Sequence, residues 1–120
     1  MAIATLGTVV LDCPDPVGLA GFYQRMLGGE VKVSESDWVE LVGIPGVPIS
    51  FQLAPDHVPP RWGSPEAPQQ FHLDLMVPDL DTAEAEILAL GAKPLDTADH
   101  TRAWRVFQDP AGHPFCLCAE

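Results

Sequence analysis

The residues best equipped for chemistry are His72 and Asp74, in the stretch Gln70-Phe71-His72-Leu73-Asp74-Leu75-Met76-Val77. Side chains alternate across a strand, so His72 and Asp74 share one face with Met76 while Leu73 and Leu75 turn to the other. An imidazole near neutrality can serve as a general base or a metal ligand, or simply hydrogen-bond to its neighbours. Asp74 can orient it, bind a cation, or be an ordinary strand-end acid. Cys116 and Cys118 repeat the spacing of two. Cys116 could be a nucleophile, but nothing near it in sequence would lower a thiol pKa, which favours a packing role. Arg105 could clamp a carboxylate or phosphate or lie on the surface. Trp38 and Trp104 could stack on an aromatic or cationic ligand, or belong to a core or an interface. His113 in Gly-His-Pro reads as structural, His57 and His100 as loop residues, and Ser50 lacks a nucleophile signature.

The elements that must position these residues occur twice. Val9-Val10-Leu11-Asp12-Cys13-Pro14-Asp15 leads through Pro-Asp into a helix ending at Leu27-Gly28, and Leu75-Met76-Val77-Pro78-Asp79 leads into one ending at Leu90-Gly91. Pro14 and Pro78 are 64 positions apart, as are Asp15 and Asp79; Trp38 and Trp104 are 66 apart. The first half reads as a strand over 3–12, then a helix capped by Asp15, with Pro16 leading and Leu19, Phe22, Tyr23, Met26 and Leu27 on its apolar face. Strands follow over 30–34, 38–42 and 49–54. The second half reads as a strand over 70–77, a helix over 80–90 capped by Asp81 or Thr82, then strands over 93–95, about 102–108 and 115–119. Gln52 and Cys116, also 64 apart, match if the first half has two extra residues in its turn. Two copies of βαβββ suit a duplicated module better than a solenoid, which needs at least three repeats. Module 1 spans about 1–54, a Pro-rich linker about 55–68, and module 2 about 69–120. Trp62, inside the linker, can fold back over a pocket or a partner.

Net charge is -11, from 17 acidic residues against six Lys plus Arg. Such a chain repels nucleic acid and anionic membranes and can favour a cationic ligand. No apolar run is long enough to span a bilayer, and the N-terminus lacks the basic-then-apolar order of a signal peptide. An odd number of cysteines, two of them badly placed for a mutual disulfide, fits reduced thiols and a cytoplasmic protein.

Together these features resemble the vicinal oxygen chelate superfamily of glyoxalase I, extradiol dioxygenases, and fosfomycin and bleomycin resistance proteins. The residues that carry the resemblance are Val9-Val10-Leu11-Asp12 with Asp15, Phe22-Tyr23 before Leu27-Gly28, His72-Leu73-Asp74-Leu75 with Asp79, and Asp109-Pro110-Ala111-Gly112-His113-Pro114-Phe115. The chain resembles small glyoxalase-like domain proteins of actinobacteria. The resemblance implies an α+β fold in which two tandem βαβββ modules form a cupped, eight-stranded mixed sheet with helices on the outer face. It also implies a cup lined by up to four metal ligands, which by position are Thr8, Gln52, His72 and Cys116, and a homodimer. The glyoxalase type would have His or Gln, Glu, His and Glu at these places, so only His72 matches. A hard divalent ion prefers carboxylate and imidazole; His72 and Cys116, with Cys118, Asp74 or Gln52, would better suit a soft ion such as zinc.

Two functions follow as expectations. One is a binding module without the full metal quartet and without a cofactor, taking a small organic molecule as bleomycin-resistance-type relatives do, with Thr8, Gln52, Asp74, Cys116, Trp38, Trp104 and Arg105 as ligand contacts. The other is a glyoxalase-like lyase or isomerase using His72, with or without a divalent metal.

Overall fold

The computed structural model describes residues 2–120 as two compact units, one running to His57 and the other from Val58 to Glu120. The first contains β1 (Val9–Cys13), α1 (Pro16–Leu27), β2 (Glu30–Glu35), β3 (Trp38–Val42) and β4 (Ile49–Leu53). The second contains β5 (Leu73–Val77), α2 (Leu80–Leu90), β6 (Lys93–Asp96), β7 (Trp104–Gln108) and β8 (Pro114–Ala119). Each unit is a four-stranded mixed sheet with one helix, in the orders β1-β4-β3-β2 and β5-β8-β7-β6. The first strand of each pairs in parallel with the last. The fold is therefore α+β, built from two βαβββ modules.

Each core lies between sheet and helix. In the first unit Leu19, Phe22 and Tyr23 of α1 are buried with Leu11, Val39, Leu41, Ile49 and Phe51, and Tyr23 stacks on Phe51 at 5.8 Å between ring centroids. Asp15 caps α1, accepting a hydrogen bond from the Gly18 amide at 3.1 Å. In the second unit Ile87 of α2 is buried with Phe107, Phe115 and Leu117, and the two phenylalanine rings are 6.0 Å apart. Asp79, not Asp81 or Thr82, caps α2. Its carboxylate accepts from the Asp81 amide at 3.2 Å and the Thr82 hydroxyl at 2.7 Å, and the hydroxyl above all holds the acid below the usual carboxylate range.

Both parallel ladders begin later than the sequence suggests, at Val9 instead of Ile3 and at Leu73 instead of Gln70. The cause is common to both. The last strand is preceded by Pro48 in one unit and opens with Pro114 in the other, and proline has no amide to donate to a ladder. Thr8 and His72 thus sit one residue ahead of the paired strand. The strand placed from about Arg102 begins at Trp104, and other boundaries agree within one or two residues.

The offset between copies also has a different source. Leu41 pairs with Ile49 and Phe107 with Phe115, so the β3–β4 and β7–β8 turns are equal in length. The extra length lies in the second unit, where residues 97–103 join β6 to β7 and only residues 36–37 join β2 to β3. Val10 pairs with Ser50 and Asp74 with Cys116, while Trp38 pairs with Gln52 and Trp104 with Cys118. By register the counterpart of Cys116 is therefore Ser50, and Gln52 answers to Cys118.

Candidate functional site

The face of the second sheet opposite α2 collects the chemistry. Strand alternation puts Asp74 and Met76 of β5, Cys116 and Cys118 of β8, and Trp104 and Val106 of β7 on this side. His72, just ahead of β5, places Nε2 3.1 Å from Asp74 Oδ1. The imidazole, the carboxylate and the Cys116 thiol bring their donor atoms within 4.8 Å of one another. His72 keeps a third of its side chain exposed and Asp74 more than half, whereas Cys116 is buried. Beside them the Trp62 indole meets the imidazole edge-on, with centroids 5.4 Å apart.

Cys116 is not a poised nucleophile. Burial, reinforced by the Asp74 carboxylate and Cys118, pushes its thiol up to about 12. Burial and then Asp74 also raise Cys118. Both favour the protonated form, and Cys13, Cys116 and Cys118 are all free of disulfides.

Of the remaining predicted residues, only Trp104 shares this face. Arg105 lies on the helix side of β7, buried, with its guanidinium donating to Asp81 at 2.8 Å and Glu84 at 3.3 Å. Its charge is spent on α2 and is not presented with Cys116. Trp104 shares the face with Cys118, but the Arg102 guanidinium covers one side of its ring at 3.8 Å, and Arg102 is held in turn by two bonds to the Asp96 carboxylate at 3.0 and 3.2 Å. In the first unit, Thr8 donates to the Pro48 carbonyl at 3.0 Å or shares a hydrogen with Ser50 Oγ at 2.7 Å. Gln52 is two residues further along, in one rung with Asp12 and Trp38. Thr8 and Ser50 thus form the first unit's version of the His72–Cys116 corner, with hydroxyls in place of metal-binding groups. Arg102 is the contributor that the sequence reading missed, and Ser50 was named there only as a poor nucleophile; Trp62 was expected to fold back over a pocket or a partner. A lone tryptophan in a proline-rich stretch was the one available signal.

The donors do not make a hard-ion site. Hydroxyls are weak ligands, and the three good donors of the second unit are one imidazole, one carboxylate and a thiol that burial keeps protonated. A soft ion could use these three only by expelling the thiol proton.

The chain matches the model of the glyoxalase-like domain over residues 8–118. No curated protein shows significant similarity to it. Among solved structures it is similar to a glyoxalase/bleomycin resistance protein/dioxygenase family enzyme from Burkholderia phytofirmans PsJN, with TM-score 0.71 and 20% identity, covering 97% of this chain and 98% of that one. It is likewise similar to the fosfomycin resistance protein FosX from Listeria monocytogenes, with TM-score 0.71 and 21% identity over 99% and 95% of the two chains. A FosX variant solved with Mn(II) and 1S,2S-dihydroxypropylphosphonic acid gives TM-score 0.69 at 18% identity, covering 98% of this chain and 90% of that one. The oxidase ChaP-H2 gives TM-score 0.68 at 18% identity over 99% and 95%. At these identities the structural neighbours share a fold while differing in chemistry. The family match runs through both βαβββ modules, and the chain belongs to the glyoxalase-like domain family.

Proposed function

We propose that this chain binds a small organic molecule on the His72 face of its second sheet without a resident hard-metal centre. One observation carries the reading. At the positions the family resemblance gives to metal ligands, this chain has Thr8 hydrogen-bonded to Ser50, the amide Gln52, His72 3.1 Å from Asp74, and a Cys116 thiol that burial keeps protonated. What is left for a ligand is a partly exposed carboxylate and imidazole beside the Trp62 ring, in a chain of net charge -11. That surface suits a cationic molecule with a flat part. A thermal-shift screen of cationic glycopeptides and aromatic metabolites tests it: stabilisation by cationic compounds supports the reading, and a preference for anions alone contradicts it.

The His72–Asp74 contact favours a second reading. A carboxylate 3.1 Å from Nε2 can orient an imidazole as a general base, which suits a glyoxalase-like lyase or isomerase. Stoichiometric metal in the purified protein that disappears in His72→Ala would favour the enzyme over the binding module. Homodimer formation and a cytoplasmic location remain part of the proposal. No helix among the described residues is long and apolar enough to cross a membrane.

A further inference from the structure

We propose that Trp62 is a ligand-selecting residue of the His72 site, held there as a wall by a proline strap fastened at Gly112. The inference rests on the binding reading above only for what the wall selects.

The strap lacks helix or strand, yet it is built at both ends. At its start Pro59 lies against Gly112, where an added Cβ would stand 2.5 Å from the Pro59 Cβ and 2.8 Å from its Cγ. Gly112 is buried with φ +89°, a conformation that favours glycine. Its turn is fixed by buried Asp109, whose Oδ1 accepts from the amides of Ala111 at 2.9 Å and His113 at 3.0 Å. Beyond Pro59 the strap closes on itself. The Arg61 amide donates to the Ala67 carbonyl at 2.6 Å and the Ser64 amide to the Arg61 carbonyl at 3.0 Å. Ser64 Oγ accepts from the amides of Glu66 and Ala67. Trp62 is inside this closed loop, half-buried, with its ring edge-on to His72.

A ring carried by a loop that its own hydrogen bonds close costs a ligand little ordering entropy. It gives one wall of apolar surface beside the His72–Asp74 pair, on which the flat face of a cationic group can lie. The wall also limits approach to the imidazole.

Diethyl pyrocarbonate, a small acylating reagent for imidazole nitrogen, reads that limit. The rate of His72 acylation is followed by peptide mass spectrometry at one fixed pH in the wild-type chain, Trp62→Ala, Trp62→Phe and Gly112→Ala, with His57 and His100 as internal references. His72 should react several-fold faster, relative to the references, in Trp62→Ala and Gly112→Ala, with Trp62→Phe close to wild type. An unchanged relative rate in Trp62→Ala overturns the proposal, and this variant alone decides should Gly112→Ala fail to fold. The reagent needs no bound ligand, so the outcome stands apart from whether the chain binds one.

Discussion

Asp74 lies beside two reactive neighbours, His72 and Cys116. Its Oδ1 is 3.1 Å from His72 Nε2, and it reinforces burial in keeping the Cys116 thiol protonated. The folded thiol titrates above its ordinary value of 9.0, at about 12. The stability this confers is complete below the unfolded value and is lost as pH rises through the folded one. Iodoacetamide at mildly alkaline pH should therefore label Cys116 far more slowly in the folded chain than in denaturant, as read by mass spectrometry. Equal rates would mean that the thiol is neither buried nor raised. His72 and Asp74 were legible as a pair because alternation in a strand is a local rule. Cys116 was placed on their face by the repeat, but its protonation follows from burial first and then from a carboxylate 42 positions away in sequence, neither of which any local spacing contains.

At the scale of the elements, two prolines and one loop account for what the sequence concealed. Pro48 and Pro114 delay the parallel ladders and leave Thr8 and His72 at equivalent corners. The long β6–β7 connection shifts the match between copies, so Ser50 and not Gln52 answers to Cys116. The helix spans, by contrast, were readable, because Asp15-Pro16 opens α1 and glycine stops both helices; only the cap of α2 was misplaced, at Asp81 or Thr82 instead of Asp79. Arg105 illustrates the limit of such reading. Its neighbours in β7 gave no sign that it faces Asp81 and Glu84 of α2. Arg105→Ala should lower unfolding stability by about 2 kcal/mol, the loss expected for charged hydrogen bonds, while leaving ligand affinity at His72 unchanged. Chemical denaturation and calorimetry separate the two effects, and a loss of affinity without a loss of stability would return Arg105 to the site.

For the whole molecule, the excess of acid is the dominant long-range force. With 17 acidic residues and six Lys plus Arg, self-repulsion outweighs the few ion pairs. Raising sodium chloride from low to physiological strength, where the screening length falls to roughly 8 Å, should increase the melting temperature. A decrease would mean that the ion pairs matter more than the net charge. The same charge should weaken binding of a cationic ligand as salt rises.

The most direct test of a ligand site that works without a hard metal is calorimetric titration of metal-free bleomycin, a cationic glycopeptide, into the wild-type chain and His72→Ala, both in excess chelator. Saturable binding to the wild type that is undiminished by the chelator and lost in His72→Ala is the predicted result. Binding that vanishes on chelation, or that ignores the loss of His72, would contradict the account.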